Sequence, residues 1–328
     1  MIGSSRTPIG LDLGSRFIHA AQADRSGTVF ATAAVRRVNP DEAYTEEDFE
    51  RLCGVLYRRG FRGREVVVTA PKSIIQRSTL DLPPRESGAP LDEIARGELA
   101  RQTHQDPGVF EFTWWDAPQP PRHGATVRAI AISCGHEQAG ALLDAMEGCG
   151  LKPVALLSPS TAAAVAVRPP EPGALSGVLD LGWSEAVFVV RDEADIVFER
   201  RLNGCEICRL VRVIAGKHRI DQGVFARELE SGVRPAHPRA IEDFCEQFRH
   251  AVRDEMRSSV DYLRTCDATS EPVLITVLGG GALVAGVTDE VARATEVPSC
   301  PPAGIGPDLA AAAALATPRA RYRIGEAA

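Results

Sequence analysis

Between residues 241 and 263, Ile241, Phe244, Phe248, Val252, Met256, Val260 and Leu263 recur at intervals of three and four, one stripe of a helix. The spacing predicts an amphipathic helix of about six turns, with Asp243, Glu246, Arg249, Arg253 and Arg257 on its solvated face. Elsewhere the chemistry is that of strands. Phe17 to Gln22, Thr28 to Val35, Ala186 to Val190 and Ile196 to Leu202 read as strands, and Arg64 to Ala70, centred on Val66, Val67 and Val68, as a buried one. Thr45-Glu46-Glu47-Asp48 approximates a capping box, after which Phe49, Leu52, Val55 and Leu56 stand at helical spacing. Val273 to Leu278 predicts a strand entering Gly279-Gly280-Gly281-Ala282, and an alanine-rich helix is expected from Asp308 to Ala316.

Within this pattern one phrase occurs twice, Leu11-Asp12-Leu13-Gly14 and Leu179-Asp180-Leu181-Gly182. Each copy follows a short apolar segment and precedes a strand, a second turn (Asp24-Arg25-Ser26-Gly27 or Asp192-Glu193-Ala194-Asp195) and a third strand. The repeat predicts a unit of three antiparallel strands used twice, and so two related lobes.

Length agrees, since 328 residues at roughly 150 per domain suggest two domains, and 44% apolar residues can fill their cores. A balance of 37 Lys+Arg against 44 Asp+Glu gives a net charge of −7, without the basic footprint of a nucleic-acid binder. Lys72, Lys152 and Lys217 are the only lysines, so lysine-rich membrane-surface tracts are missing. Met1 to Pro8 is short and polar, and Asp12 interrupts the next apolar run, which disfavours a secretion signal. The longest uncharged stretch, Pro272 to Thr288, contains four glycines and falls short of the ~20 apolar residues of a membrane span. A cytoplasmic protein with no membrane span of its own is expected. Eight scattered cysteines read as reduced, packed thiols, and Cys205-x-x-Cys208 has no second pair or nearby His to complete a zinc site.

Several common sites are excluded. Gly216-Lys217-His218 lacks the Ser or Thr and the earlier Gly of a P-loop. His136-Glu137 is followed by Gly140, so the second imidazole of a zincin helix is missing. Gly279-Gly280-Gly281 lacks the third Gly of a dinucleotide fingerprint. The two Asp-Leu-Gly turns have a different use. Glycine lets backbone amides approach a phosphate without an intervening Cβ, and an Asp in such a turn can hold Mg²⁺ through its waters. A strand running into Gly-Gly-Gly-Ala offers a side-chain-free surface for a nucleoside.

The ordered segments Ile9 to Ser15, Val178 to Ser184 and Leu278 to Gly286 resemble the phosphate-1, phosphate-2 and adenosine motifs of the actin-like ATPase superfamily. Within it the chain is similar to the PilM-like proteins of type IV pilus assembly, relatives of the FtsA division proteins. Leu91 to Leu99 and Phe110 to Trp115 resemble the opening helix and first strand of that family's inserted subdomain, Arg128 to Val154 the exit segment it shares with FtsA, and Phe225 to Glu230 its helix beside the adenine. The resemblance implies an α/β actin-like fold of two lobes, each a mixed β-sheet with flanking helices. The first lobe would cover 1–175, with a small α+β insertion at about 72–150, and the second 176–316, before a flexible tail at 317–328. It also implies ATP or ADP with Mg²⁺ bound between the lobes by Asp12, Gly14, Ser15, Asp180, Gly182, Ser184, Glu228, Gly279, Gly280, Gly281 and Ala282, the metal lying near Asp12 and Asp180.

The implied partner is the short cytoplasmic tail of an inner-membrane pilus or secretion protein, PilN-like, with self-association left open. Trp114 and Trp115 read as packing at the edge of the insertion. His19 stands where the family has Lys, bulky Trp183 follows Gly182, Glu230 replaces a frequent Lys, and Ser158 to Ala163 offers no Gln, Glu or Asp to orient a water. Hydrolysis is therefore expected to be weak or absent. A sugar-type kinase of the same superfamily and an FtsA-like filament protein are the alternatives; the first lacks an identifiable carboxylate base. The second predicts a C-terminal membrane-binding amphipathic helix, for which Pro318 to Ala328 reads as too short and too poor in large apolar residues.

Overall fold

The first Leu-Asp-Leu-Gly turn joins β1 (Ile9–Leu13) to β2 (Phe17–Ala23), which pair antiparallel with Leu13 opposite Ile18. The computed structural model describes residues 7–317 apart from 41, 119–125, 168–170, 194, 232–234 and 267–270; the expected tail from 318 onward lies outside the described residues. The chain continues through β3 (Val29–Arg36), α1 (Glu46–Arg58), β4 (Glu65–Thr69), β5 (Ile75–Leu82), α2 (Leu91–Thr103), β6 (Phe110–Asp116), β7 (Val127–Gly135), α3 (His136–Gly148), β8 (Lys152–Leu157) and α4 (Pro159–Val165). The main sheet has the order β3-β2-β1-β4-β8, antiparallel among the first three and parallel beyond β1. Strand alternation sends Ile9, Leu11, Leu13, Val66 and Val68 to one face, where Phe49, Leu52 and Leu56 of α1 and Leu142 and Met146 of α3 complete the core.

Between β4 and α3, strands β5, β7 and β6 form a separate antiparallel sheet in that order. Its central strand is buried on both faces. Ala129 and Ala131 face Ala95 and Leu99 of α2, while Ile130 and Ile132 pack with Trp115.

The second repeat opens β9 (Ser176–Leu181) and β10 (Ala186–Arg191), followed by β11 (Ile196–Arg201), α5 (Ile207–His218), α6 (Gln222–Ser231), α7 (Pro238–Cys266), β12 (Leu274–Leu278), α8 (Val287–Thr295) and β13 (Ser299–Cys300). The sheet order β11-β10-β9-β12-β13 repeats the first position by position. Leu181 pairs with Ala186 as Leu13 pairs with Ile18, so Gly182 to Glu185 and Gly14 to Phe17 are turns of equal length. The helix predicted from its apolar stripe is longer than expected, at 29 residues, because buried Ala240 and Cys266 extend the stripe at both ends. Phe244, Phe248, Val252, Met256, Val260 and Leu263 are all at 1% exposure or less.

The last described helix, α9 (Ala310–Leu315), packs on β1, β2 and α4. A Cβ at Gly10 would collide with the Ala312 carbonyl, so the helix backbone lies directly against β1, with Leu315 packed on Val67, Leu157 and Ala162. The chain accordingly divides into one unit of Met1–Arg168, Ala194–Glu199 and Leu309–Ala328 and another of Pro169–Glu193 and Arg200–Asp308. The expected boundary at 175/176 counts α9 with the second lobe; its contacts lie in the first unit. Among the described residues, no helix is long and apolar enough to cross a membrane.

Candidate functional site

In the first unit, Asp12 occupies the next-to-last position of β1, beside the end of β4. Thr69 Oγ1 donates to Asp12 Oδ1 at 2.8 Å and accepts the Leu13 N–H at 2.8 Å, fixing the carboxylate to the turn. The following carbonyls are held from one side. Tyr44 Oη donates to the Gly14 oxygen at 2.6 Å, and Arg37 Nη1 donates to the Ser15 oxygen at 3.2 Å. Burial pushes the Tyr44 hydroxyl far above its ordinary pKa, with Arg37 opposing, so it stays a donor. In a trans peptide the N–H points opposite to the C=O, so fixing these two carbonyls turns the Ser15 and Arg16 amides the other way. Ser15 Oγ is buried with no hydrogen-bond partner, an orphan that a phosphate oxygen would satisfy. His19 pairs across the strand from Asp12, its ring stacked on Phe17 with centroids 5.9 Å apart.

In the second unit Asp180 takes the corresponding place on β9, and Gly182 N–H closes the turn onto the Glu185 oxygen at 2.9 Å. Here a helix holds the carbonyls. Ile207 N–H donates to the Gly182 oxygen at 3.4 Å and Cys208 N–H to the Trp183 oxygen at 2.9 Å, using two of the amides that open α5. The Trp183 and Ser184 amides are therefore turned to the opposite side.

Beside this turn, β12 runs parallel to β9 with Leu278 opposite Asp180, and the chain then enters Gly279 at φ 80°. A Cβ on Gly279 would strike Asp180 Oδ1 and the Leu181 carbonyl; one on Gly281 would strike Leu181 and Phe248. Glycine is what allows the Gly280–Leu283 turn, including Ala282, to lie against the end of β9. Asp180, Gly182, Ser184 and Gly279 to Ala282 are thus brought together.

Glu228 lies on α6, and its carboxylate accepts the His237 backbone N–H at 3.2 Å and meets His237 Nδ1 at 2.8 Å. It braces the approach to α7 with both oxygens. Cys205 is fully buried and its thiol is pushed up to about 12, chiefly by burial. Among the described residues, no cluster of three or more His, Cys, Asp or Glu is arranged to hold a metal. Each turn presents a single carboxylate, a donor set that suits Mg²⁺ held through its own waters.

Thr69, Tyr44, Arg37 and Asp48 escaped the sequence reading. Thr69 had one local signal, a hydroxyl ending the Val66-Val67-Val68 run on the strand beside β1. Tyr44 and Arg37 act on the turn from the segment between β3 and α1, with Asp48 of α1 paired to Arg37 behind them, and no spacing rule links the three to it.

No family model matches the chain, and no curated protein matches it in sequence. Solved structures do. A chain of the PilM–PilN type IV pilus biogenesis complex superposes with a TM-score of 0.71 at 19% identity, over 95% of this chain and 98% of that one. Ethanolamine utilization protein EutJ from Carboxydothermus hydrogenoformans gives 0.57 at 16% identity, over 95% and 90%. A ROK family glucokinase from Streptomyces griseus, in complex with glucose and AMPPNP, gives 0.51 at 14% identity, over 94% and 98%. With two sheets of identical strand order and these likenesses, the chain has the fold of the actin-like ATPases.

Proposed function

We propose that the chain binds an adenine nucleotide with Mg²⁺ and works as a PilM-like adaptor on the cytoplasmic face of an inner membrane. The Asp12 and Asp180 turns supply the phosphate contacts and Gly279 to Ala282 the nucleoside surface. The observation that carries this reading is the matched pair of turns, each with its carbonyls fixed on one side and its amides turned to the other. Mg²⁺ would neutralise phosphate charge, and Asp12 or Asp180 is the kind of carboxylate that would hold it through water. Slow or absent turnover is supported at α4, where the Ser158 hydroxyl caps its own helix by accepting the Thr161 N–H at 3.1 Å and no carboxylate stands nearby in sequence.

The adaptor role is supported by the likeness to a chain of the PilM–PilN complex. The three-stranded sheet of the insertion has β5 and β6 as its outer strands, and an extended peptide gains main-chain hydrogen bonds at such an edge. The partner is the short tail of a membrane-anchored pilus or secretion protein.

Thermal melting with and without Mg·ATP tests the nucleotide site. At 100 times the dissociation constant, binding stabilises a fold by about 2.7 kcal/mol, a visible shift that Asp12→Ala with Asp180→Ala should abolish. No shift at millimolar nucleotide would refute binding, and brisk phosphate transfer to a sugar would favour a kinase instead. Titrating tail peptides against the full chain tests the adaptor role; failure of every tail would end it.

A further inference from the structure

We propose that Tyr44, backed by Arg37 and Asp48, is a positioning residue for the first phosphate turn, and that the first amide of α5 does the same for the second. This rests on the nucleotide reading above. The two turns are equal in length and register, and in both the carbonyls of the glycine and of the next residue are the ones held: Gly14 and Ser15 in one, Gly182 and Trp183 in the other. The devices that hold them are unrelated. One is a hydroxyl and a guanidinium; the other is a helix N-terminus. Two different solutions to one geometric need point to the need itself, the orientation of the amides that follow.

A peptide next to glycine rotates easily, and reversing the Gly14–Ser15 unit would withdraw the Ser15 N–H from its ligand-facing side. Tyr44 opposes that rotation with a 2.6 Å bond, and its own position is fixed. Arg37 lies over the Tyr44 ring, 3.8 Å from its centroid, and spreads further donors over the carbonyls of Pro40, Glu42 and Ala43. Asp48 pairs with Arg37 at 3.5 Å, both side chains being 2% exposed, and accepts the Val38 N–H at 2.9 Å. Arg37 and Asp48 thereby tie the Val38 amide and the carbonyls of Pro40, Glu42 and Ala43 together behind the turn.

The test is Tyr44→Phe, which keeps the ring under Arg37 and deletes only the donor. Affinity for Mg·ATP should fall about three- to tenfold, the usual weight of one such hydrogen bond, while affinity for adenosine stays unchanged because Gly279 to Ala282 are untouched. The protection that bound Mg·ATP gives the Ser15 and Arg16 amides against hydrogen exchange should weaken in this variant. A merely structural role would lower the melting temperature without this phosphate-selective loss.

Ile207→Pro provides a second variant. It removes the N–H held by Gly182 at the first position of α5, where Pro is tolerated and where Glu206, at φ −70° and ψ 125°, already has the extended backbone Pro requires. It should show the same phosphate-selective loss. Wild-type affinity in both variants would overturn the proposal. No binding by the wild type would sink the nucleotide reading itself, and undiminished protection of the Ser15 and Arg16 amides in nucleotide-bound Tyr44→Phe would separately show that the hydroxyl does not hold the turn.

Discussion

The hydroxyl of Thr69 and the carboxylate of Asp12 share a 2.8 Å hydrogen bond, and the same hydroxyl receives the Leu13 amide. Thr69 therefore couples the end of β4 to the first turn through one atom. Thr69→Val preserves the shape but strands the Leu13 N–H, which should cost about 1–3 kcal/mol. Thr69→Ser should recover most of that. Urea unfolding of the three proteins decides the matter; equal stability for Thr69→Val would show that the bond carries no weight.

Gly279→Ala should be among the most damaging single-methyl changes in the second unit. The position combines φ 80° with ψ 175°, and the added methyl would meet the Asp180 carboxylate and the Leu181 carbonyl. The backbone term alone is about 1–3 kcal/mol. A variant that melts with the wild type would contradict the close approach of these two segments.

Cys205 should resist alkylation. With its thiol at about 12, the reactive thiolate is about one part in ten thousand at pH 8, and the side chain is fully buried. Mass spectrometry after iodoacetamide should find Cys205 unmodified in the folded protein and modified after denaturation. Labelling of the folded protein, or one zinc per chain lost in Cys205→Ser, would overturn this assignment.

Gly10→Ala probes the seat of α9. The methyl would press on the Ala312 carbonyl and on Leu315, forcing the helix outward, at about 1–3 kcal/mol for overpacking. Limited proteolysis should then cut near α9 sooner than in the wild type. An unchanged digestion pattern would mean that the helix is seated by other contacts.

The three-strand unit was legible from one repeated phrase because a tight Gly turn forces antiparallel pairing of the strands it joins, whereas the valines of β4 marked a buried strand without giving its place beside β1. The stripe of α7 was equally plain, since burial and period coincide at Phe244, Phe248 and Val252. The glycines at 279 and 281 announced themselves by residue type, and the structure explains both by close approach. What stayed hidden depends on distant pairing. Glu228 belongs to a helix whose apolar residues were readable, yet its carboxylate is taken by His237, nine positions on. Tyr44 and Arg37 read as unremarkable residues between elements, and only the folded chain shows them gripping Gly14 and Ser15.

The seat of α9 also orders events during synthesis. Its residues leave the ribosome after every strand of the second sheet, although their place is on β1, near the beginning of the chain. The later sheet can thus be assembled while the earlier one still has Gly10 and Val67 uncovered. A nascent chain paused before Leu309 would carry an apolar strip on a sheet otherwise complete, a surface suited to capture by a chaperone until the alanine helix arrives.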